Sequence, residues 1–177
     1  MDFASLPEDL LARARRVRLV LTDVDGCLTD AGVYVSETGE ELKRFSLRDG
    51  MGVERLRRHL GIETAFVTRE VSGFAAARAR KLSVSLVETG AQGKDETVRR
   101  LAAAGALEPS EVAFLGDDVN DLPALGLVGL AACPSDAFFL VRAAAHFVAP
   151  SPGGHGAFRD LAELVLFARL GETPLAV

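Results

Sequence analysis

Five aspartates, a threonine and a lysine stand where this chain passes from apolar, strand-like runs into turns. Asp23 and Asp25 follow VRLVLT, Thr68 follows ETAFV, and Asp117, Asp118 and Asp121 follow EVAFLG. Lys94 opens a helical stretch behind another strand-like run, VSLVE. Carboxylates crowded into one crevice repel each other and become tolerable around a divalent cation. An all-oxygen set suits Mg²⁺, which keeps some waters and takes one or two carboxylates plus a substrate phosphate. A metal-bound phosphoryl group needs further positive charge and hydrogen-bond donors, which Lys94 and the Thr68 hydroxyl can supply. A carboxylate can attack phosphorus and form an aspartyl-phosphate, splitting hydrolysis into two steps. A second carboxyl two residues on can protonate the leaving alcohol and then deprotonate the attacking water. A lone D-x-D in a turn is usually turn chemistry. Four segments that deliver polar groups to strand ends in this order are not.

The elements that must position these residues can be read from periodicity. Residues 7–16 begin with Pro and two acids and predict a short helix. Residues 17–26 predict a buried strand ending in a Gly turn. Residues 31–45 alternate on either side of Glu37-Thr38-Gly39-Glu40 and predict a β-hairpin. From Asp49 a helical face of Val53, Leu56 and Leu60 runs to a stop at Gly61. Strands are then expected at 63–68, 84–88 and 111–116, with helices at 71–82 and 93–105. Weaker strands are expected at 127–132 and 146–149, with a helix at 135–145 between them and a last helix at 157–170. Strands alternating with helices predict βαβ units, hence an α/β, Rossmann-like three-layer fold with a central parallel sheet. In such a sheet, ligands bind outside the carboxyl ends of the strands, where these side chains collect.

The chain has 177 residues, 49% hydrophobic, with a formal charge of −5. That suits one domain over 1–177, with a projecting hairpin at 31–45 and a Gly-rich tail at 151–177. Mild acidity argues against nucleic acid as partner. No apolar run approaches the roughly 20 residues that span a bilayer, so no membrane partner is expected. The N-terminus carries acids and arginines where a signal peptide needs apolar residues. Cys27 and Cys133 lie far apart and lack metal-ligand spacing, so a reducing cytoplasm is the expected compartment.

At these residues the sequence resembles the haloacid dehalogenase superfamily of phosphohydrolases. The motifs are D-V-D-G-C from Asp23, Thr68 after A-F-V, Lys94 in Q-G-K-D, and G-D-D-V-N-D from Gly116 to Asp121. The resemblance implies that Asp23 is the nucleophile and Asp25 the acid/base, with Thr68 and Lys94 holding the phosphoryl group. It implies Mg²⁺ held by Asp23, Asp25 (through its backbone carbonyl) and Asp117, with Asp118 and Asp121 behind them. Cys27 is expected to be a packing residue.

A narrower likeness runs through D-G-C-L-T-D, the hairpin, F-S-L-R-D-G-M-G and G-G-H-G-A-F-R-D. These stretches resemble a small capless branch that includes 3-deoxy-octulosonate 8-phosphate and nonulosonate 9-phosphate phosphatases. The resemblance implies a homotetramer in which the hairpin covers a neighbour's site, acting on a small phosphorylated sugar acid. The octulosonate enzymes usually carry an Arg where this chain has Glu70, and another where it has Glu54. Glu70 and Lys81 match the nonulosonate phosphatases, which makes the nine-carbon 9-phosphate the first expectation and the eight-carbon 8-phosphate the second. Eleven residues is about three helical turns, so the pair shares a face if one helix holds both. Ser46, Arg48, Asp49 and Gly50 match the branch's substrate loop. Arg78 and Arg159 are suited to a sugar acid's carboxylate. Tyr34 is expected to pack in the hairpin. A non-catalytic tetramerisation module and phosphoryl transfer to another acceptor are the rival readings.

Overall fold

The computed structural model describes residues 2–39 and 41–172. Glu40 in the expected hairpin turn and residues 173–177 of the expected tail lie outside them.

Helix α1 (Glu8–Arg16) leads into β1 (Leu19–Thr22), followed by a two-stranded hairpin, β2 (Tyr34–Val35) and β3 (Glu41–Leu42). Then come α2 (Leu47–Leu60), β4 (Glu63–Val67), α3 (Phe74–Leu82), β5 (Leu86–Glu88) and α4 (Lys94–Ala104). The last part is β6 (Val112–Leu115), α5 (Leu122–Leu125), β7 (Leu130–Cys133), α6 (Phe139–Ala144), β8 (Phe147–Val148) and α7 (Ala157–Leu170). The main sheet has six strands in the order β5-β4-β1-β6-β7-β8, every pairing parallel. This is the three-layer α/β fold that the alternation predicts.

The strands are buried on both faces, so successive residues enter different cores. On one side Val20, Phe66, Leu115 and Ala132 meet Leu10 of α1, Leu56 of α2, Ala79 of α3 and Phe158 of α7. On the other, Leu21, Val67, Phe114 and Cys133 meet Val98 of α4, Leu125 of α5 and Val141 of α6. Cys133 and Cys27 are buried free thiols. Burial pushes the Cys27 thiol well above its usual range, and it packs 4.0 Å from Asp117 Oδ1, as a packing residue should. No helix among the described residues is long and apolar enough to cross a membrane.

β1 lies between β4 and β6, so the chain leaves it in both directions. That reversal opens a crevice outside the carboxyl ends of these three strands. The hairpin projects from the same end. An antiparallel bridge between Thr29 and Phe45 closes its root. Tyr34, expected to pack there, is 66% exposed, because a ribbon with two residues in each strand has no interior.

Candidate active site

Asp23 continues β1: its amide donates to the Leu115 carbonyl of β6 at 2.8 Å. The backbone therefore fixes its Cα, and the residue is only 6% exposed. Asp23 Oδ1 accepts from the Val24 amide at 2.7 Å. Asp23 Oδ2 lies 2.6 Å from Lys94 Nζ. Lys94 is the first residue of α4 and 2% exposed, and it also donates to Asp121 Oδ1 at 2.5 Å. Asp121 Oδ2 accepts from the amides of Asp117 at 2.9 Å and Asp118 at 3.3 Å. A buried lysine thus joins the first-strand turn to the fourth-motif turn. Thr68 is buried directly after β4, where its amide donates to the Glu88 carbonyl.

Asp23, Asp117 and Asp121 place carboxylate oxygens within 4.8 Å of one another. Burial and the neighbouring Asp121 charge raise Asp23 to about 7, although Lys94 opposes the shift. Burial, then Asp23 and Asp121, raise Asp117 to about 8. One buried lysine does not neutralise three carboxylates. A hard divalent cation would, and an all-oxygen donor set is what Mg²⁺ takes. Gly26 makes room for this arrangement. At its φ of +81°, a Cβ would lie 1.9 Å from Asp117 Oδ2. The residues therefore fit the cation that the resemblance implies. Asp121 stands closer to it than expected, although its oxygens already have donors. Asp118 is exposed and caps the turn that follows, accepting from the Val119 amide.

The crevice has a volume of about 340 Å³ and is lined by Asp23, Asp25, Thr68, Glu70, Lys94, Asp117 and Asp118 from the expected set, together with Ala31, Arg69 and Asn120. Asp25 does not join the metal-capable carboxylates. Its Oδ1 accepts from Lys43 Nζ at 2.7 Å, and Thr29 Oγ1 lies 3.4 Å from the same oxygen. Lys43 also pairs with Glu70. Lys43 was missed in the sequence, where K-R-F after β3 reads as a solvated strand end. Only the closed hairpin root brings it to Asp25.

Several expected substrate residues are placed elsewhere. α3 starts at Phe74, so Glu70 lies outside the helix that carries Lys81, and the face they were expected to share does not form. Glu70 is held by Lys43, which keeps its carboxyl below the usual range, whereas Lys81 is exposed. Asp49 is buried. Its Oδ2 accepts from the Gly156 amide at 3.2 Å and its Oδ1 from the Arg159 amide at 3.0 Å, tying α2 to the start of α7. Arg159 Nε donates to Glu163 at 2.6 Å within α7. Ser46 caps α2 through its Oγ, and its carbonyl accepts from Arg78 at 2.8 Å. That guanidinium fills the space beside Gly50, where a Cβ would meet it at 2.7 Å. Arg48 and Ser46 line a separate cavity of about 430 Å³ with Arg44 and His155. Within this one chain, Ser46, Asp49 and Gly50 at the start of α2 and Arg78 of α3 are framework rather than lining of the carboxylate crevice.

A buried aspartate behind β1, a lysine on it, a threonine behind β4 and an acidic turn behind β6 define a phosphohydrolase of the haloacid dehalogenase class. No family model matches the sequence. The chain is 34% identical over 167 residues to the 3-deoxy-D-manno-octulosonate 8-phosphate phosphatase of Yersinia pestis, spanning 94% of this chain and 89% of that protein. The crystal structure of the Yersinia pestis phosphatase superposes with a TM-score of 0.89 at 35% identity, covering 93% of this chain and 88% of the other. The Moraxella catarrhalis phosphatase, solved with magnesium, phosphate and KDO, matches with a TM-score of 0.89 at 30% identity, over 93% and 94% of the two chains. A subfamily III A hydrolase of the superfamily from Legionella pneumophila matches with a TM-score of 0.89 at 33% identity, over 92% and 88%. The chain belongs to the 3-deoxy-D-manno-octulosonate 8-phosphate phosphatase family of the haloacid dehalogenase superfamily, and so to the phosphomonoester hydrolases.

Proposed function

We propose that this protein is a Mg²⁺-dependent phosphatase of a 2-keto-3-deoxy sugar acid phosphate, with the eight-carbon 8-phosphate as its first substrate. The observation that carries the reading is the Asp23 carboxylate, buried at the carboxyl end of β1 and held 2.6 Å from Lys94 beside Asp117. Asp23 and Asp117, with the Asp25 backbone carbonyl, would hold the ion, which supplies positive charge against the phosphoryl oxygens. Asp23 attacks phosphorus. The bond to the sugar oxygen breaks, and that oxygen takes the proton from Asp25. Thr68 and Lys94 balance the phosphoryl charge. A water then gives its proton to Asp25 and displaces Asp23, releasing phosphate.

The sequence placed the nine-carbon acid first. Two observations reverse that order. The curated relatives from Yersinia, Escherichia and Salmonella are named for the eight-carbon substrate. Glu70 and Lys81, whose match favoured the nine-carbon acid, do not share a helical face, since α3 begins at Phe74. Glu54 and Glu70, standing where the octulosonate enzymes usually carry Arg, keep the nine-carbon acid as the second reading. Phosphate release with Mg²⁺ from both acids, with Asp23→Asn as control, is the test. The expected result is at least ~10-fold higher kcat/KM for the eight-carbon acid. A preference for the nine-carbon acid would reverse the substrate order. No Asp23-dependent release from either would favour the non-catalytic tetramerisation module.

The proposed working unit is a homotetramer of one-domain chains, with the hairpin over a neighbour's crevice. Tyr34, Val35 and Leu42 expose more than 60% of their surface. A ribbon this short is marginal in water by itself. Val119, Phe138 and Phe139 are exposed beside the crevice and offer an apolar seat. Tyr34→Ser combined with Leu42→Ser should give smaller particles in sedimentation and lower activity. Tetramers of unchanged size would sink the arrangement. The proposed compartment is the cytoplasm, in keeping with two unbridged thiols.

A further inference from the structure

Lys43 is a cation beside the crevice that the catalytic reading leaves unused. Its side chain is 6% exposed, although it leaves the main chain beside the projecting hairpin. Nζ donates to Asp25 Oδ1 at 2.7 Å, pairs with the Glu70 carboxylate and stands 5.5 Å from the centre of the Phe74 ring. Glu70 is itself tethered, since its amide donates to Thr68 Oγ1 at 3.1 Å. Lys43 thus spans the turn behind β1 and the turn behind β4, the two turns that carry Asp25 and Thr68. Burying a lysine between two carboxylates in an open crevice is costly unless the geometry is held from several sides. The Thr29–Phe45 bridge provides that hold by fixing the main chain two residues from Lys43.

We propose that Lys43 is a positioning residue for the acid/base carboxylate of Asp25, and that it ties this carboxylate to the root of the hairpin. The inference rests on the phosphatase reading above. Lys43 and Thr29 both hold Asp25 through Oδ1, and the Glu70 carboxyl approaches the same aspartate, so the carboxyl is fixed from several sides. In the first step the Asp23–phosphorus bond forms and the phosphorus–alkoxy bond breaks. The electron pair of the broken bond goes to the alkoxy oxygen, which takes the proton from Asp25. Asp25 becomes a carboxylate facing Lys43. In the second step the water proton returns to Asp25 as the phosphorus–Asp23 bond breaks. Without Lys43, Asp25 can rotate towards solvent, and the leaving alcohol meets no acid at a fixed place.

The leaving group gives the test, because a simple loss of folding would affect every substrate alike. An alkyl phosphate needs the acid, whereas p-nitrophenyl phosphate expels a phenolate that leaves without a proton. Values of kcat/KM, which report the first step, are measured for Mg²⁺-loaded wild type and Lys43→Met with the better of the two sugar acid phosphates and with p-nitrophenyl phosphate. The loss on the sugar acid phosphate should exceed the loss on the aryl phosphate by at least ~10-fold, within the range that general acid catalysis contributes. The aryl rate of the same preparation shows that the site is assembled. Equal losses, or a larger loss on the aryl ester, would overturn the Lys43 role while leaving the phosphatase reading intact. A wild-type protein without Asp23-dependent release from any of these esters would overturn both.

Discussion

Asp23→Asn should lower phosphate release by at least ~10³-fold, because the amide cannot form the covalent phosphoryl intermediate. The same substitution should stabilise the protein in the absence of metal. Asp23 and Asp117 are raised to about 7 and about 8 by burial and by the carboxylates around them. An aspartate whose pKa is raised on folding contributes stability that is full below its unfolded value, near 4, and is lost as pH rises through the folded one. Metal-free wild type should therefore lose stability between about pH 4 and pH 8 at these two positions. The amide variant removes one of the two titrating groups and keeps an oxygen for the Val24 amide, while Lys94 keeps Asp121. The expected gain at pH 8 is about 1–2 kcal/mol, or a melting temperature a few degrees higher. Melting curves with EDTA at pH 5 and pH 8 would show it. A variant that is active, or less stable than wild type at pH 8, contradicts the placement of this carboxylate. Mg²⁺ should raise the wild-type melting temperature more at pH 8 than at pH 5, since ligand protons compete with the ion at the lower value.

Lys94→Met should be the more damaging change to the fold. Met keeps most of the volume and removes the cation lying between Asp23 at 2.6 Å and Asp121 at 2.5 Å. Three carboxylates then face each other with no internal counter-charge. Breaking a buried pair of this kind costs about 3–5 kcal/mol. Part of that cost should return on adding millimolar Mg²⁺, because the ion replaces the missing charge. Activity should stay at least ~10²-fold down even in saturating Mg²⁺, since the donor to the phosphoryl oxygens is gone. Urea unfolding with and without Mg²⁺, paired with rates, separates the two roles of Lys94. Recovery of both stability and activity with Mg²⁺ would make Lys94 a counter-charge only. An unchanged melting curve would remove even that role.

The core of the site could be read from the sequence because its residues sit directly on strand ends. A residue one step past a buried strand has its Cα fixed by the sheet, as the Asp23 amide on the Leu115 carbonyl shows. The parallel sheet, the crevice and the carboxylate cluster followed from alternation and from residue types that tolerate one another only around a cation, whereas the strand order came from the structure. Element edges were less legible. The strand expected at 17–26 is four residues, Leu19–Thr22, because ladder pairing ends where the chain turns to deliver Asp23. The short α5 was not anticipated. Pro123 near its start suits a helix N-terminus, but four residues carry no period to detect.

The sequence by itself determined the α/β alternation, the aspartate behind the first strand, the lysine at a helix start and the oxygen-rich cation site, since each depends on a residue type at a strand or helix end. Only the tertiary structure decided what the side chains beyond those ends do. Asp49 and Arg159 look like ligands for a sugar acid in a linear motif. Packing of α2 along α7 turns Asp49 to the backbone of that helix and gives Arg159 to Glu163. Glu70 looks like a partner for Lys81 at helical spacing. The helix begins four residues later, and Glu70 meets Lys43 instead. Lys43 itself carries no local signal. It reaches Asp25 because a hairpin closed by one bridge returns it across eighteen residues, and periodicity reports neighbours along an element but not those that a loop brings back.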